Sequence, residues 1–152
     1  MEPYFKRFLF KIGSKPRGEY VYTKERISVF GALGVNDFYF EITEEYCNWQ
    51  TWLIFITNLL KKYGKIVIII DGAKYHFEKE HVQKFYAENK ENLIIFQLPA
   101  YSPELNPIEQ YWRYVKEHLA NTSWLIKKEF ERNLVYGLKN CFKPKLYDYY
   151  LR

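Results

Sequence analysis

The sequence predicts an α/β fold in which a mixed β-sheet is flanked by helices, and two observations predict it. First, two β-prone runs at the start of the core surround a turn, which is typical of an antiparallel hairpin. Second, the segments after the hairpin alternate between apolar residues at helical spacing and short apolar runs. That alternation is typical of parallel strands joined by helices.

The first three elements are indicated by turn residues and by spacing. Residues 27–35 and 38–43 are rich in β-branched and aromatic residues, and Asn36-Asp37 lies between them as a typical turn pair. Residues 48–63 place apolar side chains at helical spacing, and Gly64 is a typical helix stop. The sequence therefore predicts a hairpin followed by a helix.

The later elements predict a sheet with parallel strands. Residues 65–71 lack polar alternation, which is typical of a strand covered on both faces in the middle of a sheet. A helix near 78–89, a strand at 92–97 and helices at about 107–120 and 126–140 follow. This order is that of ribonuclease H if one strand, the central one of that sheet, precedes the hairpin. The elements themselves predict a mixed sheet flanked by helices, which fits a ribonuclease H-like sheet without its first strand.

The composition predicts one globular domain. Hydrophobic residues make up 48% of the 152 residues, which is enough to form one core. We divide the domain into a basic loop region at 1–26, a core at 27–120, and a C-terminal helix and tail at 121–152. The net charge of +5 is compatible with a phosphate-rich partner but does not demonstrate one.

The cysteines and the apolar segments bear on the compartment. Cys47 and Cys141 are far apart and form no CxxC pair, so neither a zinc site nor a disulfide framework is indicated. The N-terminus lacks the sustained apolar region of a signal peptide, and no segment is long and apolar enough to span a bilayer. We expect a cytoplasmic protein without a membrane partner.

Asp71 is a candidate site residue because it directly follows the apolar strand at 65–71. In open α/β sheets, ligands gather at the carboxyl ends of the strands. Asp71-Gly72 is also a common hairpin dipeptide. The residues that follow are predicted to form a helix, however, and not a strand that could pair back.

Glu109 has two interpretations. Asn106, Pro107 and Glu109 fit the N-cap, N1 and N3 positions of a helix start, so a capping box alone would explain them. Glu109 also lies at the edge of an apolar helix stripe that includes Trp112. At that edge it can face a cleft, with Asn106, Pro107 and Trp112 as structural support of the site.

The two acidic side chains suggest a metal site. Carboxylates that converge repel each other, and a divalent cation relieves the repulsion. Oxygen-only ligands favour Mg²⁺ or Mn²⁺. Two such ions about 4 Å apart can activate a water or a 3′-hydroxyl in phosphodiester displacement. Asp71 and Glu109 are therefore candidate catalytic and metal-binding residues.

Four further residues are candidates for contact with DNA. His76 and Lys74 shortly follow the candidate carboxylate at the strand end, although a surface or capping position would explain His76 equally well. Arg113 and Lys116 follow Glu109 by four and seven positions on the predicted helix. Glu109 and Arg113 could instead form only an i, i+4 surface pair.

Two blocks of the chain resemble the DDE transposases of the mariner superfamily and its bacterial and archaeal insertion-sequence relatives. The blocks are residues 68–76 (IIIDGAKYH) and residues 98–112 (LPAYSPELNPIEQYW). The spacing between Asp71 and Glu109 is close to that usual in the family. The resemblance implies a ribonuclease H-like fold in which three acidic residues hold two Mg²⁺ or Mn²⁺ ions. Asp71 matches the second acid and Glu109 the third.

The resemblance also implies DNA as the partner, with cleavage at transposon ends and transfer of the 3′-ends to a target. In the family, the first acid stands in an Asp-Glu pair. The corresponding position in this chain falls at about Met1-Glu2, so the first acid is not evident. We therefore expect the opening strand to lie upstream and the chain alone to be weak or inactive in strand transfer. Without a central strand, the strands on either side of it would expose unpaired backbone edges, which favours a homodimer or a swapped assembly.

Two alternatives to a transposase stay open. The chain could be a non-catalytic, truncated ribonuclease H-like module that binds DNA or oligomerises. It could also be a ribonuclease H-type nuclease that acts on RNA–DNA hybrids.

Overall fold

The computed structural model describes residues 27–77, 79–100, 102–120 and 126–146, so the predicted basic loop region and the end of the tail lie outside it. The elements in chain order are the strands β1 (Ser28–Leu33) and β2 (Phe38–Thr43), helix α1 (Trp49–Tyr63), strand β3 (Ile66–Ile70), helix α2 (Glu80–Glu88), strand β4 (Leu93–Gln97), and helices α3 (Pro107–Ala120) and α4 (Lys127–Asn140). Each predicted strand and helix is confirmed, with small differences at its ends. None of these helices is long and apolar enough to cross a membrane.

The described strands form two separate two-stranded sheets. β1 and β2 pair antiparallel through a turn in which the N–H of Gly34 donates to the carbonyl of Asp37 over 2.8 Å. β3 and β4 pair in parallel, with Ile66 opposite Leu93. The prediction of a mixed α/β fold is therefore confirmed, but the described strands do not form the one continuous sheet that we expected.

β3 is covered on one face only, which corrects the expectation that both of its faces are covered. Ile68 packs against the cluster around α1. The side chains on the other face of this sheet are open to solvent, with Val67 61% exposed and Ile69 40% exposed on β3. Ile94 and Phe96 of β4 are exposed in the same way. Since strand side chains alternate between faces, all four lie on one apolar face.

Two apolar clusters hold the helices against opposite faces of the hairpin. The first cluster joins α1 to both sheets through the buried residues Phe30, Trp52, Phe55, Ile56, Leu59, Ile70, Val82 and Leu93. The second cluster joins α3 and α4 to the hairpin through the buried residues Ile27, Tyr111, Val115, Leu119, Leu134 and Leu138. α1 therefore holds β1 and β3 in place even though these strands are not paired with each other.

Gly31 of β1 lies directly against Trp112 of α3. A Cβ atom at this position would come within 2.7 Å of Cη2 of Trp112 and within 2.9 Å of Cζ of Phe38. Carbon atoms are in favourable contact at about 3.5–4.0 Å, so Gly31→Ala forces the side chains of Trp112 and Phe38, or the elements that carry them, to shift. We expect this substitution to lower the free energy of unfolding by about 1–3 kcal/mol in a urea titration.

The matched control for this prediction is the same substitution in a Trp112→Phe background. The clashing Cη2 and Cζ2 atoms belong to the outer ring of the indole, which phenylalanine lacks. Gly31→Ala should therefore cost clearly less in that background. If the cost is the same in both backgrounds, the close approach of α3 to β1 is not what makes glycine necessary.

Candidate active site

A cavity of about 470 Å³ lies between β1 and β3, and several of the residues singled out in the sequence line it. Those residues are Asp71, His76, Asn106, Pro107, Glu109 and Trp112. The carboxylates of Asp71 and Glu109 come from distant parts of the chain, one after β3 and the other in the first turn of α3. The fold thus brings both candidate acids to the border of one cavity.

Asp71 is held at the end of β3 by its own backbone. One carboxylate oxygen, Oδ1, accepts the N–H of Ala73 over 3.0 Å, a local turn that Asp side chains commonly form. The side chain remains 52% exposed to solvent. The chain then continues into a short 3₁₀ turn, Lys74–His76, and β3 pairs with β4 in parallel. The hairpin interpretation of Asp71-Gly72 is therefore wrong.

His76 lies beside Asp71 and not at the surface. Its Nδ1 atom is 3.4 Å from Oδ1 of Asp71 and 3.4 Å from the Asp71 carbonyl oxygen. Its ring packs on Trp52 with centroids 4.2 Å apart, and the residue is only 6% exposed. Burial lowers the pKa of His76, although Asp71 opposes this shift. A neutral imidazole protonated at Nδ1 can donate to the carbonyl oxygen of Asp71, which keeps the ring beside the carboxylate.

Glu109 does not close the capping box that its sequence position suggested. Oδ1 of Asn106 accepts the N–H of Ile108 over 3.3 Å, so the predicted asparagine cap is present. The N–H of Asn106 itself donates to the carbonyl of Pro103 over 3.0 Å. In a capping box, the side chain of Glu109 would accept this N–H, so the carbonyl of Pro103 takes its place. The exposed carboxylate stays at the helix N-terminus, where the helix dipole favours a negative charge.

The first turns of α3 are packed on two sides. Pro107 is buried at the start of the helix, and Trp112 lies against Gly31 of β1. On the other side, the buried hydroxyl of Tyr111 donates to the carbonyl of Leu138 in α4 over 2.6 Å. Burial raises the pKa of Tyr111 to about 12, so this hydroxyl stays protonated. The backbone that carries Glu109 is therefore held firmly.

The cationic residues predicted to contact DNA lie on the surface outside the cavity lining. Lys74 is exposed in the 3₁₀ turn, and Arg113 and Lys116 are exposed on α3. Nε of Arg113 lies 4.0 Å from the carboxylate of Glu117, which takes the place of the suggested pair with Glu109. An exposed pair of this kind contributes little free energy, so it does not hold Arg113 in one position.

A hydrogen-bonded chain behind His76 was missed by the sequence reasoning. Nε1 of Trp52 donates to the hydroxyl of Tyr86 over 2.7 Å, and that hydroxyl donates to the carbonyl of His76 over 2.9 Å. This chain ties α1 and α2 to the turn after Asp71. The sequence did contain a signal for these hydrogen bonds. Trp and Tyr occur on predicted core faces, and their polar atoms find hydrogen-bond partners when they are buried.

The donor set at the cavity is compatible with a hard divalent cation. Asp71 and Glu109 offer oxygen atoms, which are the ligands that Mg²⁺ and Mn²⁺ prefer. Among the described residues, however, no three His, Cys, Asp or Glu side chains form a group that could hold a metal ion. The role of the two carboxylates as metal ligands therefore stays a prediction.

These features define a mixed α/β protein with an acidic site beside the carboxyl end of a parallel strand pair, where such folds bind their ligands. The model of the family described as DDE superfamily endonuclease matches residues 2–131. The chain therefore belongs to the DDE superfamily endonucleases. These are transposase-like nucleases that act on DNA and generally use divalent metal ions. No curated protein matches the chain at a significant level.

Proposed function

We propose that this chain is the catalytic domain of a transposase with a ribonuclease H-like fold, related to the mariner superfamily and its insertion-sequence relatives. It would cut DNA at transposon ends and transfer the strands to a target. The observation that carries the proposal is that Asp71 and Glu109 line the same cavity. Membership of the DDE superfamily endonucleases supports nuclease chemistry on DNA.

Asp71 and Glu109 would hold the Mg²⁺ or Mn²⁺ ions. When bound, these ions supply activation of the attacking oxygen and stabilisation of the leaving oxygen. Asp71 presents a carboxylate with one oxygen fixed by the N–H of Ala73. The ring of His76 lies beside the same carboxylate, with Nδ1 3.4 Å from Oδ1. Glu109 approaches from α3, whose rigid packing keeps its backbone in place.

Lys74, Arg113 and Lys116 would bind the phosphate backbone of the DNA beside the cavity. Arg113 and Lys116 follow Glu109 by four and seven residues, which places all three on neighbouring parts of the α3 surface. Contacts with phosphate position the DNA but do not read its sequence. Binding of DNA should therefore weaken steeply as the salt concentration rises.

The first acid implied by the resemblance is not grouped with Asp71 and Glu109 in the described residues. We therefore propose that the chain alone nicks DNA slowly and does not carry out strand transfer. In the described ranges no strand pairs with the edges of β1 and β3 that face the cavity, and unpaired edges favour association with another polypeptide. The form of association that we propose is a homodimer or a swapped assembly.

A nicking assay on supercoiled DNA in Mn²⁺ tests the proposed function. We expect Glu109→Gln to lower the nicking rate by about tenfold or more, because the amide removes a metal-binding charge while keeping the side-chain shape. Glu80→Gln is the matched control, since Glu80 is an exposed acid in the first turn of α2, away from the cavity. Its nicking rate should equal that of the unaltered chain.

The second candidate function is the non-catalytic module. It is favoured because, among the described residues, no three His, Cys, Asp or Glu side chains form a group that could hold a metal ion. In that case the unaltered chain and Glu109→Gln would both nick DNA only at the background rate, while both would still bind it. Cleavage confined to RNA–DNA hybrids would instead indicate a ribonuclease H-type nuclease. Either result would contradict the transposase proposal.

A further inference from the structure

The carboxylate of Asp71 is oriented by the turn that follows β3. Its Oδ1 atom accepts the N–H of Ala73 over 3.0 Å. The carbonyl of Ala73 accepts the N–H of His76, also over 3.0 Å, at the start of the 3₁₀ turn. Hydrogen bonds are directional, and the two oxygens of a carboxylate are rigidly linked, so a shift of this turn redirects both oxygens of Asp71. The position of the turn therefore sets the direction of the carboxylate.

The turn itself is held from behind by the hydroxyl of Tyr86 in α2. This hydroxyl donates to the carbonyl of His76 over 2.9 Å and accepts the indole N–H of Trp52 in α1 over 2.7 Å. Burial raises the pKa of Tyr86, although the bond from Trp52 opposes this shift, so the hydroxyl stays protonated and able to donate. The last residue of the turn is therefore tied through one hydroxyl to both α1 and α2.

Trp52 restricts the same turn through a second contact. Its ring lies on the imidazole of His76, with centroids 4.2 Å apart, and Nδ1 of that imidazole is 3.4 Å from the carbonyl oxygen of Asp71. Trp52 is 4% exposed, so it belongs to the rigid core and not to the surface. The indole thus positions His76 by packing, and it positions Tyr86 by its N–H.

We propose that Tyr86 is a positioning residue for the carboxylate of Asp71. Tyr86 does not line the cavity, so it acts through the backbone of the turn, from His76 back to Ala73. A metal ion is bound tightly only when its ligands are held close to the productive geometry, and the residues behind the ligands supply that support. This inference rests on the proposed function, in which Asp71 is a metal ligand.

A hydroxyl that joins two helices also contributes to the stability of the whole fold, so the test must separate the two effects. A loss of stability alone lowers Tm and leaves the local geometry of the folded state as it was. A loss of positioning changes the turn and the carboxylate within the folded state. The test therefore needs a control variant that loses a similar amount of stability without altering the contacts behind Asp71.

The test compares Tyr86→Phe with Ile56→Val in the full chain. Phenylalanine keeps the ring and removes only the hydroxyl that bonds to Trp52 and His76. Ile56 is 0% exposed in α1 and belongs to the same core cluster as Trp52, but it does not line the cavity. Both variants should lower Tm by about 2–4 °C, so Ile56→Val reproduces the loss of stability alone.

The first measurement uses no metal and follows hydrogen exchange at the amides of Ala73 and His76 by NMR. These two N–H groups make the bonds that connect the turn to Asp71. We expect exchange at both amides to be about three- to tenfold faster in Tyr86→Phe, because the turn loses a hydrogen bond that holds it closed. In Ile56→Val, both rates should stay within about twofold of those in the unaltered chain.

The second measurement is the affinity for Mn²⁺ by isothermal titration calorimetry. We expect Tyr86→Phe to bind Mn²⁺ about tenfold more weakly than the unaltered chain and Ile56→Val to bind it equally well. Equal exchange rates in the two variants, or an unchanged Mn²⁺ affinity in Tyr86→Phe, would overturn the inference. If the unaltered chain binds no Mn²⁺, the proposed function fails instead, and faster exchange at Ala73 in Tyr86→Phe alone still supports the positioning role.

Discussion

Asp71→Asn is expected to abolish the stabilisation of the chain by Mn²⁺. A ligand that binds only the folded state at about 100 times its Kd stabilises it by about 2.7 kcal/mol. For a domain of this size, each kcal/mol corresponds to about 2–4 °C, so the unaltered chain should gain about 5–10 °C in Tm. Asparagine removes the charge that the metal needs but keeps an oxygen that can accept the N–H of Ala73. The Tm without metal should therefore change little.

Asp37→Asn is the matched control for this experiment. Asp37 is exposed and lines the same cavity, but it lies at the opposite end, where Tyr63 donates to it. This variant should keep the full Mn²⁺-dependent rise in Tm, measured by differential scanning calorimetry. An equal rise in Asp71→Asn, or no rise in the unaltered chain, would remove the support for a metal site at Asp71.

Tyr111→Ala is expected to lower the free energy of unfolding by about 3–5 kcal/mol. Tyr111 is 0% exposed, and its ring lies 4.5 Å from that of Phe38, measured between centroids. Its hydroxyl also donates to the carbonyl of Leu138 over 2.6 Å. Alanine would leave a cavity at the junction of α3, α4 and the hairpin. Tyr111→Phe keeps the ring and leaves only the carbonyl unpaired, which should cost about 1–2 kcal/mol.

The control for the tyrosine series is Tyr136→Ala on α4. Tyr136 is 59% exposed, so its removal should change the free energy of unfolding by no more than about 0.5 kcal/mol. Urea titrations of the three variants give the comparison. If Tyr111→Ala costs no more than Tyr136→Ala, then the attachment of α3 to α4 does not depend on this buried ring.

The helices and strands could be predicted because each depends on spacing within its own segment. The exposed face of β3 could not be predicted in this way, since Val67 and Ile69 are as apolar as the buried Ile70 and no alternation marks the open side. For the same reason, an apolar strand at the edge of a sheet has the same sequence pattern as one in the middle. Whether β1 and β3 belong to one sheet or to two depends on what lies between them. The local sequence pattern does not report this.

The candidate site was predictable in part. The position of Asp71 after a strand follows from the local sequence, and the cap by Asn106 was also evident from its neighbours. Glu109 does not form a capping box because the N–H of Asn106 donates to the carbonyl of Pro103 instead. The burial of His76 depended on Trp52, which comes from another element. A local turn therefore decided the outcome at Glu109, whereas a contact between distant segments decided the burial of His76.

Among the residues that the structure describes, the two sheets are joined by side-chain packing around α1 and not by a continuous ladder of backbone hydrogen bonds. Apolar packing is not directional, so this joint resists bending less than a hydrogen-bonded sheet would. Asp71 belongs to the half built on β3, whereas Glu109 belongs to the half in which α3 packs on the hairpin. The separation of the two carboxylates therefore depends on how α1 packs between the two halves and on how α3 packs on the hairpin.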